Sequence, residues 1–261
     1  MAEMKKITLL LLALLALPLA RAETLLVAAA SDLTYCIDEL GAAFGKQVPG
    51  AQLKVSLGSS GNFFAQIKHG APYDVFMSAD MSYPARLAQE GAADGATLAP
   101  YALGRIALWS LDARFDLSQG MQVLKDPRIK RIAIANPEFA PYGSAARAAL
   151  QHNGLWDTLK DKLVFGENIS QTAQFVQTGN AQVGIVSGAT LSSPRIKGKG
   201  SRYMIAQTDT PPIEQGAIVT QHGKTNALAP LFMRFLRSQA ARDIFARGGF
   251  ALPREKAAPA A

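Results

Sequence analysis

The side chains best able to do chemistry in this 261-residue chain lie in short runs of small polar residues, each placed where an apolar stretch ends. Ser31-Asp32 follows Thr24 to Ala30, and Gly58-Ser59-Ser60-Gly61 follows Lys54 to Leu57. Ala140-Pro141-Tyr142-Gly143-Ser144 comes after Arg131 to Ala135, and Asn168-Ile169-Ser170 after Leu163 to Phe165. Each run is followed by apolar residues at helical spacing, so each reads as a turn from a strand into a helix. A helix starting at such a turn points unpaired N–H groups and the positive end of its dipole outward. Hydroxyls beside those groups make a cradle of donors, which suits a small oxyanion. Bond-breaking machinery is not legible: His69, His152 and His222 are scattered, and no C-x-x-C, H-E-x-x-H or G-x-S-x-G occurs. The pattern points to binding rather than catalysis.

The elements that must position these turns alternate along the chain. Thr24 to Ala30 is a continuous apolar run, as expected of a parallel strand covered on both faces. Ser31 or Asp32 would then cap a helix carrying Leu33, Ile37, Leu40 and Phe44. A strand at Asp74 to Ser78 and a helix after Asp80 continue the alternation, which predicts an α/β fold with mostly parallel sheets. Beyond about Ala102 a second set begins, with strands at Ile106 to Ser110, Arg131 to Ala135, Leu163 to Phe165 and Gln182 to Ser187. A late strand at Ile218 to Thr220 and one amphipathic helix over 229–247 complete it. Two such sets imply two lobes facing a cleft: 23–102 and 206–261 in the first lobe, 103–205 in the second.

Composition bounds the class. The chain is 49% hydrophobic and 18% charged, an ordinary globular balance. Its one cysteine, Cys36, rules out an intramolecular disulfide and reads as a small buried hydrophobe. Lys5 and Lys6, the apolar run Ile7 to Ala20 and Ala20-Arg21-Ala22 have the form of a secretory signal cleaved after Ala22. Export into the periplasm is the expectation. Losing three cations and one anion with that segment would lower the formal charge from +7 to +5, a balance that can steer anions. Basic stripes interleaved with aromatics are absent, which argues against nucleic acid.

At this point the chain resembles a known family, the periplasmic molybdate-binding proteins of ABC transporters. The likeness is carried by Val27 to Ser31, Gly58 to Gly61, Gly70-Ala71-Pro72-Tyr73-Asp74-Val75-Phe76 through Asp80, Ala135-Asn136-Pro137, Ala140 to Gly143, Gly184 to Val186, and Ala240 to Phe250. The resemblance implies a two-lobed type II periplasmic binding-protein fold closing on a tetrahedral oxyanion, molybdate or tungstate, with no cofactor, no directly bound metal cation and no enzymatic turnover. It implies a monomer that works with a membrane ABC permease. Position by position, it implies anion contacts from the hydroxyls and N–H groups of Ser31 and Ser60 and from the backbone of Tyr142 and Ile169. Many members carry a tyrosine after the Gly-Ile-Val strand; here that place is Ser187, and Tyr142 is the expected replacement donor.

Physical chemistry allows a site of this kind without Arg or Lys. Hydrogen bonds to a charged group contribute about 1.5–3 kcal/mol each. About six would hold a dianion at micromolar affinity or tighter after desolvation and closure costs. Blander readings stand beside the sharp ones. Ser59 either forms the turn or joins the anion site, Ser187 is short for a contact, and Phe63 and Phe64 read as core. Asp32 is either a cap turned away from the cleft or an acceptor for a protonated oxyanion such as hydrogen phosphate. The basic run Arg195, Lys197, Lys199 and Arg202 reads as a solvated loop, with docking to a transporter as the other use. Another oxyanion, or a serine hydrolase, are the competing functions.

Overall fold

A computed structural model describes residues 23–253. The expected signal segment over 1–22 and the charged tail over 254–261 lie outside the described residues. Two five-stranded sheets organise the chain. The first contains β1 (Glu23–Ala30), β2 (Ala51–Gly58), β3 (Val75–Ser78), β4 (Ala99–Gly104) and β10 (Ile213–Val219), in the order β2-β1-β3-β10-β4. The second contains β5 (Ile106–Ser110), β6 (Ile132–Ala135), β7 (Leu163–Gly166), β8 (Val183–Ser187) and β9 (Ser201–Met204), in the order β7-β6-β8-β5-β9. In each sheet one strand opposes the other four: β10 pairs antiparallel with β3 and β4, and β5 with β8 and β9. The expectation of two mostly parallel sheets holds in this sense.

Alternation along the strands explains why both faces are covered. Val27 and Ala29 of β1, Val75 and Met77 of β3, and Ala217 and Val219 of β10 share one core with α1 (Ile37–Gln47), α8 (Leu228–Phe235) and α9 (Gln239–Arg247). The intervening Ala28, Phe76 and Ile218 face α2 (Ser60–Lys68) and α3 (Ser82–Gln89). Phe63 and Phe64 are buried there, in line with their reading as core. In the second sheet Ile132, Ile134, Val183 and Ile185 pack with α4 (Pro141–His152) and α5 (Trp156–Leu159). On its other face Ala107, Trp109 and Val186 meet α6 (Ile169–Gln177) and α7 (Gly188–Ser192).

The chain passes from β4 to β5 through Arg105 alone and returns through the segment 205–212. The C-terminal segment closes back on the first sheet, where Leu103 and Ala251 exchange N–H···O bonds of 2.7 and 2.9 Å. Among the described residues no helix is long and apolar enough to cross a membrane.

Several elements differ from expectation for identifiable reasons. The single terminal helix over 229–247 is two helices, because the Ser238 hydroxyl accepts from Ala241 N (3.3 Å) and starts α9 afresh. Neither Ser31 nor Asp32 is a helix cap: residues Ser31–Tyr35 form a 3₁₀ turn, and α1 begins only at Ile37. Strands β4 and β9 were not anticipated. Pro100 and Gly104 make β4 read as a boundary, and β9 exposes alternate residues within a basic stretch. The rest of that stretch fits a solvated loop, with Arg195, Lys197 and Lys199 exposed around a buried Ile196, while Arg202 is an exposed residue of β9.

Candidate functional site

The carboxyl ends of β1, β2 and β3 in the first lobe face the N-termini of α4 and α6 in the second, and together they line one cavity. Ligands of open α/β sheets occupy this position. Ser31, Asp32, Ser59, Ser60, Tyr142 and Ile169 all line it, each at most 4% exposed.

The cavity wall is rich in unused donors. Ser60, Tyr142 and Ile169 sit in first helical turns, and their N–H groups have no partner among the described residues. Ser60 Oγ accepts from Ala79 N (3.0 Å), and Ser31 Oγ accepts from Ser170 N (3.4 Å), so each hydroxyl keeps its own proton to donate. Pro141 at the start of α4 pre-sets the helical φ and contributes no N–H, which leaves Tyr142 as the first donor of that helix. Asn168 caps α6 by accepting from Ser170 N and Gln171 N (both 3.0 Å), leaving Ile169 N clear. Three N–H groups and two hydroxyl protons therefore converge from both lobes.

One wall of the cavity is a buried polar cluster. Tyr142 Oη donates to Asp32 Oδ2 (2.8 Å), and Gln215 Nε2 donates to Asp32 Oδ2 (2.5 Å) and to Tyr142 Oη (2.9 Å). Asp32 Oδ1 and Gln215 Oε1 are buried with no hydrogen-bond partner among the described residues. Burial pushes the Asp32 acid up to about 6, against the opposing pull of Gln215, Tyr142 and the N–H groups of Asp32 and Leu33. Burial, with the Asp32 charge nearby, raises the Tyr142 phenol well above its ordinary value, so its proton stays in place. Gly104 makes this arrangement possible, since a Cβ there would collide with the Tyr142 hydroxyl.

The two lobes are latched around the cavity. Gly61 N donates to Phe139 O (2.8 Å), Asn62 Nδ2 to Glu167 Oε1 (3.0 Å), and Ser170 Oγ to Ser31 O (2.8 Å). Glycine is required at 61 because a Cβ would sit 2.8 Å from Phe139 O.

Set against the sequence-based expectations, the structure gathers Ser31, Ser60, Tyr142 and Ile169, and it gives the other expected groups definite partners. The Tyr142 hydroxyl, expected to point at an anion, gives its proton to Asp32. Asp32 is not a cap turned away; it is part of the cavity wall. Ser187 lies outside the cavity, because it ends β8 and caps α7, its Oγ bonded to Thr190 N (3.2 Å) and Thr190 Oγ1 (3.0 Å). Ser59 caps α2, accepting from Asn62 N (3.4 Å). Gln215 was missed, for a lone glutamine in a strand of apolar neighbours carries no motif.

Cys36 is buried with its thiol pushed up by burial, which fits an inert packing role. The histidines do not serve the cavity. His222 Nδ1 meets Asp74 Oδ1 (2.9 Å) at the opposite end of the first sheet.

Comparison with known proteins agrees with this fold. Residues 25–251 match the model of a family described as bacterial extracellular solute-binding proteins. The chain is 38% identical to the molybdate-binding protein ModA of Rhodobacter capsulatus over 90% of this chain and 91% of that one. It is 36% identical to ModA of Azotobacter vinelandii, over 89% and 92%. The solved periplasmic molybdate-binding protein of A. vinelandii superposes with a TM-score of 0.83 at 34% identity, covering 88% of this chain and all of that one. The chain therefore belongs to the bacterial extracellular solute-binding proteins, a family that carries solutes rather than transforming them.

Proposed function

We propose that the protein captures molybdate, and tungstate with it, as a fully ionised tetrahedral dianion between its two lobes and delivers it to a membrane ABC permease. The observation that carries this reading is the convergence of unpartnered N–H groups at Ser60, Tyr142 and Ile169 with the hydroxyls of Ser31 and Ser60 on one cavity. A dianion accepts hydrogen bonds from every side, and helix N-termini supply both donors and favourable dipoles. The named relatives bind molybdate, and they match along nearly the whole chain. Delivery to a permease and export after cleavage at Ala22 belong to the same proposal.

One feature favours a second reading. The buried Asp32 carboxylate has a free acceptor, Oδ1, which would suit a protonated oxyanion such as hydrogen phosphate. Calorimetric titration with molybdate, tungstate, sulfate and phosphate at neutral pH separates the two. Tight one-to-one binding confined to molybdate and tungstate is the expected result; tighter binding of phosphate would overturn it.

A further inference from the structure

The buried cluster beside the anion cradle is short of protons. Tyr142 offers one and Gln215 Nε2 offers two, and all three are used on Asp32 Oδ2 and Tyr142 Oη. Asp32 Oδ1 and Gln215 Oε1 are left buried and unpartnered. A charged carboxylate with one bare oxygen is a costly group to bury.

No cation offsets it. The groups facing it are Tyr142 on α4, Gln215 on β10, Tyr101 on β4, Cys36 and the N–H groups of Asp32 and Leu33. The helices packed on the turn from the cleft side, α6 and α7, contain no charged residue. On α1 and β2, which also pack against it, Asp38, Glu39, Lys46 and Lys54 are exposed. A dianion in the cradle would add two further negative charges next to this carboxylate, which disfavours the ionised form again.

We propose that Asp32 takes up one proton when the site captures its dianion, and that this proton reverses the Asp32–Tyr142 hydrogen bond so that Tyr142 turns its own hydroxyl proton onto the anion. This rests on the anion-capture reading above. The proton comes from solvent and binds Asp32 Oδ2, and no other bond forms or breaks except hydrogen bonds. Asp32 Oδ2–H then donates to Tyr142 Oη, Gln215 Nε2 keeps its two acceptors, and the phenolic proton is released toward the cavity that Tyr142 lines. One protonation thus removes a repelling charge and adds a donor. It reconciles an oxyanion site with an aspartate in its wall, and it makes Asp32 a positioning residue for Tyr142.

The test is calorimetric titration of the purified protein with molybdate in buffers of different ionisation heat, from about pH 6 to about pH 8.5, alongside Asp32→Asn. Above about pH 7 the native protein is expected to take up close to one proton per anion, and less toward pH 6, where Asp32 is already partly protonated. Its Kd should rise by up to about tenfold for each unit of increase in pH between the acid's free value of about 6 and its higher value in the loaded site. Asp32→Asn, whose amide can donate permanently to Tyr142, should show no uptake and a flat profile, and should bind more tightly than native at the alkaline end. Native binding without proton uptake overturns the inference while leaving molybdate capture standing. An unchanged pH slope in the variant overturns it too, as does a variant that melts cooperatively yet binds at no pH. No molybdate binding by the native protein would overturn the functional reading and this inference together.

Discussion

Tyr142 and Asp32 are 110 positions apart in the chain, yet hydroxyl and carboxylate meet at 2.8 Å across the two lobes. Each belongs to a turn at the mouth of a different sheet, so the contact joins the two sheets' turns across the cavity. It sets the phenol beside one buried acid.

Tyr142→Phe keeps the ring in its packing and deletes one donor beside a buried charge. Molybdate affinity should fall by about 1–3 kcal/mol, roughly five- to 150-fold, measured by calorimetry. Unchanged affinity would show that the Tyr142 hydroxyl is not a donor to the anion.

Neighbouring serines should separate cleanly. Ser60→Ala removes a hydroxyl donor and leaves Ala79 N unpaired, so affinity should fall by about 1.5–3 kcal/mol. Ser59→Ala and Ser187→Ala remove helix caps instead, each costing about 1 kcal/mol of stability in a denaturant titration with affinity nearly kept. A large affinity loss at Ser187 would return that residue to the site.

Gly61→Ala tests closure. Its Cβ would press on the Tyr83 hydroxyl and on Phe139 O, and it would break the Gly61 N–H bond across the cleft. Small-angle scattering with saturating molybdate should show a more open particle than native, and anion release should be faster.

Asp32 sets a pH dependence of stability of unusual sign. Its acid is raised from 3.8 to about 6, so the folded protein binds more protons than the unfolded chain between those values. Stability from this group is fully present below about pH 4 and is lost as pH rises toward 6, a change of about 3 kcal/mol. Asp32→Asn should therefore melt above native at pH 7.5 by more than it does at pH 4.5. Equal differences at both pH values would show that Asp32 titrates normally.

What the sequence determined by itself was local. Apolar runs ending in Ser31, Ser60 and Asn168 announced strand-to-helix turns, because hydrophobic periodicity and small capping residues act over a few neighbouring positions. From these turns came the α/β class and the expectation of an oxyanion cradle, while the family resemblance singled out Ser31, Ser60, Tyr142 and Ile169. The tertiary structure decided everything that depends on distant partners. Only folding brings Gln215 from β10 to Asp32, sends the Tyr142 proton to a carboxylate, and turns Ser187 away into the cap of α7. A carboxylate's charge depends on burial and on which donors reach it, and neither is written in the residues beside it. Asp32 looked like a helix cap in its own neighbourhood and became part of the cavity wall through contacts made 110 and 183 positions away.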